Sequence, residues 1–220
     1  MLWRSGKQYV AKMRGIDDLA RLKEVNPALD MLLCDRKIMA ARAQDATLGQ
    51  AKRRILLWSF VSCFLGISLL SLLQYNTRLY LYPSDIKATS LVGSFGATAV
   101  LVFGGVDAPF AQPRSIIGGH VLSATIGVSI AKANLSGDYM WLACALAVSL
   151  SLVAMQLTDT MHPPGGATAL LAVISPPAVR NLGFFYVVSP ILIGSCVLVA
   201  VSVLVNNVQR QYPRYWLRAA

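Results

Sequence analysis

Two histidines, His120 and His162, and one carboxylate, Asp159, are the titratable side chains lying in or beside the apolar stretches of this 220-residue chain. An ionisable group at membrane depth is by default a functional candidate, as a proton carrier or as the partner of an ion. All three also stand near segment ends, where capping a helix or facing a wet interface is the competing explanation. His162 has the more informative context, because it leads through Pro163, Pro164, Gly165 and Gly166 into an apolar run. Pro163 holds His162 extended. Pro164 suits the first helical position, and the two glycines leave the backbone bare where a new helix presents free N–H groups. The pattern predicts a helix N-terminus, positive by its dipole, that serves as an anion site.

The device is repeated. Gly96-Ala97-Thr98-Ala99-Val100-Leu101 recurs 70 positions later as Gly166-Ala167-Thr168-Ala169-Leu170-Leu171. Short segments interrupted by Gly or Pro at matching places in two halves point to a transporter binding site. Close helix packing favours the same small residues, so packing alone is the other explanation. The candidate anion-binding residues are Ser94, Gly96, His162, Pro164, Gly165 and Gly166. His120, Arg114, Asp159 and Arg180 are candidates for a pathway, although the two arginines also suit interfacial anchoring. No Ser-His-Asp order, Walker loop, HExxH or paired-cysteine motif is present. Cys34, Cys63, Cys144 and Cys196 have no paired spacing. The expectation is therefore a non-enzyme with no metal and no cofactor.

The elements that must hold these residues follow from composition. The chain is 55% hydrophobic and 14% charged, where soluble domains carry about a quarter charged residues. Uncharged runs at 55–75, 115–131, 139–157 and 184–206 are long enough to span a bilayer. Residues 88–106 are rich in Gly, Ser and Thr and either span or form a broken segment. Residues 165–175 are too short to cross alone. Gly119, Ser123 and Gly127 form one small-residue stripe, and Ala143, Ala147 and Ser151 another; the two are expected to pack together. The fold class is all-α, a polytopic helical membrane bundle of two three-segment repeats. Four crossings or six remain open, and an even number puts both termini on one side.

Several separated motifs also carry a resemblance: His162-Pro163-Pro164 with Gly165 to Leu170, Ser94 to Leu101, Ala111-Gln112-Pro113-Arg114, and Gly118-Gly119-His120. In this order they resemble the HPP family of integral membrane proteins over roughly residues 55–206. The resemblance implies a helical membrane protein. It suggests nitrite as cargo, since members in plastids and cyanobacteria are linked to nitrite transport, while most of the family has no assigned activity.

The formal net charge of +10 is concentrated at the ends. Residues 1–54 form a basic extension, 55–206 the membrane domain, and 207–220 a basic tail with Tyr212, Tyr215 and Trp216 expected at the interface. No nucleic-acid motif accompanies the charge, so no nucleic-acid partner is expected. Residues 1–15 are basic and free of acids, which favours the mitochondrial inner membrane, with a plastid envelope or plasma membrane as alternatives. Asn26-Pro27 begins a helix whose Leu29, Leu32, Leu33 and Met39 suit a bilayer surface or a partner. Two functions remain. One is a transporter or channel for a small anion. The other is an accessory subunit of a larger membrane complex or homo-oligomer, docked through the extension.

Overall fold

The structure, a computed structural model, describes residues 27–75, 92–133 and 139–217. Residues 1–26, 76–91 and 134–138 and the side chains of Leu29 to Met39 lie outside the described residues, and the expectations placed on them lie there too. The chain divides into two units, Met1–Leu56 and Leu57–Ala220. The described part of the first is the leading stretch of helix α1 (Pro27–Tyr75). That helix runs unbroken through Lys52-Arg53-Arg54, so the extension and the first span share one element.

In the second unit α1 is followed by α2 (Val92–Gly104), a 3-10 turn at Pro109–Ala111, α3 (Pro113–Lys132) and α4 (Met140–Leu157). Then come α5 (Pro163–Ile174), the single turn α6 (Pro177–Arg180) and α7 (Ile193–Asn206), the last entered through a wide helical segment at Val187–Leu192. Every regular element among the described residues is helical.

Among the described residues four helices are long and apolar enough to cross a membrane: Leu48–Leu73, Pro113–Lys132, Met140–Leu157 and Val187–Asn206. Apart from the single turn α6, the other two are short. The 13 residues of α2 rise about 20 Å and the 12 of α5 about 18 Å, against a hydrocarbon core of about 30 Å. These lengths match the arrangement of four long spans with two short segments. The outer faces are apolar, with Leu57, Phe60, Phe64, Trp141, Leu157 and Leu204 all exposed. A helix apolar on the outside and carrying Ser, Thr and His inside is built for lipid, where no hydrophobic force separates the two faces.

Local chemistry sets the ends. His162 is extended (φ −146°, ψ 97°) before Pro163, and the helix starts at Pro163 itself, one residue earlier than expected. Pro176 closes α5. The last span is not the continuous helix expected from 184: Ser189 is extended (φ −128°, ψ 117°) inside it, because Pro190 disfavours helical geometry in the residue before it.

The two helices that carry the small-residue stripes pack on each other as expected, with Gly119 and Ser123 of α3 against Met155 of α4. Both also close on α5. A Cβ at Gly127 would sit 2.5 Å from the Ala169 carbonyl oxygen and 2.8 Å from its Cα. Ala143 and Ala147 form a cluster with Ala169 and Val173. The short helix is thus held between α3 and α4, its glycines and alanines admitting backbones on both sides.

The C-terminal tail also departs from expectation. Tyr212 is 2% exposed, not interfacial, and its hydroxyl donates to the Ala111 carbonyl at 2.8 Å. Arg214 Nη2 pairs with Asp107 at 2.6 Å, and its backbone N–H donates to Gln112 Oε1 at 2.9 Å. The tail therefore fastens the loop at 105–112. Burial pushes the Tyr212 phenol above its ordinary value. A phenol with a raised folded-state pKa contributes stability that is present below its unfolded value of about 10 and is lost as pH rises past it. The tail of the natural chain should loosen in alkali, read as proteolytic release of the C-terminus. Tyr212→Phe should lose about 1 kcal/mol at neutral pH and show less of the alkaline step; an undiminished step would assign it to other groups.

Candidate functional site

Thr98 belongs to the first copy of the repeat and lies on the inner face of α2. Its Oγ1 is 2.8 Å from His120 Nε2 and 2.9 Å from His162 Nε2. The Ser94 carbonyl, one turn back, stands 3.0 Å from the same atom. On the far side of its ring, His120 Nδ1 lies 2.7 Å from Thr168 Oγ1. Thr168 has its own carbonyl one turn back, that of Pro164 at 3.4 Å. His162 Nδ1 reaches the Phe110 carbonyl at 2.8 Å. Thr98, His120, His162 and Thr168 are all 0% exposed.

The repeat organises this cluster. Thr98 and Thr168 are the threonines of the two Gly-Ala-Thr-Ala copies, and Ser94 and Pro164, whose carbonyls stand behind them, are equivalent by the same 70 positions. His120 lies between the copies and touches one threonine with each ring nitrogen. The two imidazoles meet edge to face with centroids 4.7 Å apart, and the Phe95 ring lies 5.2 Å from His120.

Each group is placed by a local device. Gly119 lets His162 approach α3, since a Cβ there would lie 2.5 Å from His162 Cβ and 2.9 Å from the Thr160 carbonyl. Gly118 does the same for Thr160, whose Cγ2 would be 2.7 Å from an added Cβ. The Phe110 carbonyl sits in the Pro109–Ala111 turn. Gln112, fully buried, holds that turn by donating to the Val106 and Ala108 carbonyls at 3.0 and 3.1 Å. Tyr186 donates to the Thr168 carbonyl at 3.2 Å.

Hydrogen-bond accounting gives the cluster a direction. A carbonyl only accepts, so His162 must carry its proton on Nδ1 toward Phe110. With one proton on each ring, His162 Nε2 is then an acceptor and takes the Thr98 hydroxyl proton. His120 must therefore donate from Nε2 to Thr98 Oγ1, leaving its Nδ1 to accept from the Thr168 hydroxyl. The result is a single directed chain, Thr168 to His120 to Thr98 to His162 to Phe110, with the Ser94 and Pro164 carbonyls as spare acceptors.

The residues singled out in the sequence separate into two groups. His120 and His162 come together, and Ser94 and Pro164 border them; the Ser94 hydroxyl is buried with no hydrogen-bond partner. The glycines do not form the expected anion cradle. Gly165 is pressed on α3, where a Cβ would lie 2.8 Å from Ser123 Oγ and 3.0 Å from the Gly119 carbonyl, and its N–H donates to the His162 carbonyl at 2.8 Å. Gly166 turns toward Val148 of α4, and Gly96 has no atom within 4 Å of an added Cβ. They admit neighbouring helices or open space rather than a ligand at the helix end.

Arg114 donates to the Leu217 and Thr158 carbonyls at 2.5 and 2.7 Å. Asp159 is exposed in a left-handed turn (φ 52°), and Arg180 is exposed. None of the three bonds to the cluster. Thr98 and Thr168 lie within the repeat that points to a binding site but are not among the candidate residues; their identical places in the two copies are the available signal. Nothing in the sequence marked the Phe110 carbonyl. Among the described residues no group of three or more His, Cys, Asp or Glu gathers to hold a metal, and no carboxylate bonds to the cluster.

Residues 49–213 match the family model described as HPP, transmembrane region. The chain is 42% identical over 165 residues to one transmembrane protein of Dictyostelium discoideum, covering 72% of this chain and 50% of that protein. It is 42% identical over 163 residues to a second from the same organism, covering 72% of this chain and 55% of that protein. The chain thus spans about half the length of these curated relatives. No solved structure matches it at a significant level.

Proposed function

We propose that this chain, which belongs to the HPP transmembrane family, acts as a carrier for a small monovalent anion such as nitrite, with the buried threonine–histidine cluster as its transit site. The observation that carries this reading is His120, which bridges the equivalent threonines of the two repeats. A repeat interface marked by two short helices is where secondary transporters bind cargo. Polar and ionisable groups inside a membrane are costly, and four of them gathered in one place need a reason. The chemistry of the cluster selects the sign of the cargo. Its bonding groups include no carboxylate and the buried Ser94 hydroxyl beside it is a donor without a partner, so it suits an anion and repels no negative charge. The cluster is fully buried, with Phe95 beside His120 and Gly119 beside His162, which is what an occluded form of an alternating carrier requires.

The test is uptake by liposomes containing the purified full chain, at mildly alkaline pH where free nitrous acid is scarce. Saturable nitrite entry above that of empty liposomes is expected, and Thr168→Val should reduce it at least tenfold while Gly93→Ala, on an open face, leaves it unchanged. Entry no faster than in empty liposomes, for nitrite and for other small monovalent anions, would end this reading.

A further inference from the structure

We infer that the cluster takes up one proton and passes it between His120 and His162 through Thr98, so that anion and proton cross together. This rests on the carrier reading for its cargo, but the proton chemistry stands on the hydrogen-bond geometry. In the directed chain described above, both threonines hold a carbonyl in reserve. When a proton binds His120 Nδ1, the Thr168 hydroxyl turns from that nitrogen to the Pro164 carbonyl at 3.4 Å, and Nδ1–H donates to Thr168 Oγ1. Every group remains paired.

Transfer onward is a balanced exchange at one oxygen. The Nε2 proton of His120 moves to Thr98 Oγ1 as the Thr98 proton moves to His162 Nε2, over separations of 2.8 and 2.9 Å. One N–H and one O–H bond break, and one of each forms. Thr98 remains an alcohol, now donating back to His120 Nε2, and the positive charge rests on His162 beside the Phe110 carbonyl. The Ser94 carbonyl at 3.0 Å gives the Thr98 hydroxyl a resting place when both rings donate to it. Neither threonine is left with an unmade bond in any of these states, which a buried relay requires.

The cluster takes one proton and not two, because imidazolium rings with centroids 4.7 Å apart repel each other in an apolar surround. Among the described residues no charged side chain bonds to the cluster to compensate even one. Toward the cluster α2 presents Ser94 and Phe95, α3 presents Ser123, α4 presents Met155, and α5 presents Pro164. The segment before α7 adds the Tyr186 phenol, bonded to the Thr168 carbonyl. A buried charge with no partner is expensive, and the incoming anion is the partner. Proton and anion therefore favour each other's binding, and the loaded site is neutral.

Two measurements on the full chain test this. In liposomes with the membrane potential clamped, making the outside more acidic by one pH unit should raise protein-dependent nitrite entry up to about tenfold, while a change of potential at fixed pH leaves it unaltered. Thr98→Val should abolish that response and Thr98→Ser should keep it. Nitrite flux that ignores the pH gradient overturns the inference and leaves the carrier intact. Separately, nitrogen-15 spectra of the histidines in nanodiscs, with no anion present, should show opposite tautomers, Nε2–H on His120 and Nδ1–H on His162. Acidification in the presence of nitrite should give one imidazolium per chain. Matching tautomers or two imidazolium signals overturn the inference. Opposite tautomers and one imidazolium with no anion flux would support the proton relay and sink only the carrier.

Discussion

His120→Ala should stop anion uptake and lower the stability of the protein by about 3 kcal/mol, most of it from the cavity left by a fully buried ring. The polar part of the cost is small for a specific reason. With His120 gone, the Thr168 hydroxyl turns to the Pro164 carbonyl, and the Thr98 hydroxyl keeps His162 Nε2. Phe95 loses the ring it packs against at 5.2 Å, and the void also faces the Thr98 and Thr168 hydroxyls, so a water that enters it recovers only part of the loss. The two effects separate in His120→Gln, which restores much of the volume but cannot exchange protons at two sites on one ring. It should recover most of the melting temperature in detergent and none of the flux. Normal uptake by His120→Ala would show that the cluster is a packing device, and the proposed function would lose its support.

Gly127→Val should be the most damaging single change in the bundle and should prevent accumulation of folded protein in the membrane. The neighbour of that glycine is the α5 backbone, with the Ala169 carbonyl oxygen 2.5 Å and the Ala172 Cβ 2.9 Å from an added Cβ. Ordinary overpacking costs about 1–3 kcal/mol because side chains can shift. Here a helix must move, and α5 is held on its other side by Ala143 and Ala147. Displacing it would also pull Thr168 from His120. Gly93→Ala is the control, since nothing lies within 4 Å of its added Cβ. Equal yields of the two variants, measured by size-exclusion chromatography in detergent, would mean that α3 and α5 do not make this contact.

These outcomes bear on where the short helix begins. The 12 residues of α5 begin at Pro163, and the His162 that leads into them is fully buried inside the bundle. The tail contributes from outside by fastening the loop that supplies the Phe110 carbonyl, through Tyr212 on Ala111 and Arg214 on Asp107 and Gln112. The acceptor at the end of the proton chain thus depends on residues about a hundred positions away.

Much of this protein was determined by local sequence. The apolar runs set four long helices, because a backbone in hydrocarbon must bond within its own segment. Pro163 set the start of α5 and the extended His162, and the repeat of Gly-Ala-Thr-Ala announced two equivalent halves, since each acts through the backbone within a few residues. What sequence alone could not decide was what those small residues face. Gly165 and Gly166 read equally well as a bare cradle for an anion or a contact for a helix, and only the packing of α5 between α3 and α4 distinguishes them. Ser189 broke a span that hydropathy made continuous. Above all, the meeting of Thr98, His120, Thr168 and the Phe110 carbonyl joins residues from four separate elements. A hydrogen bond depends on distance and direction in space, and no spacing along the chain encodes either one.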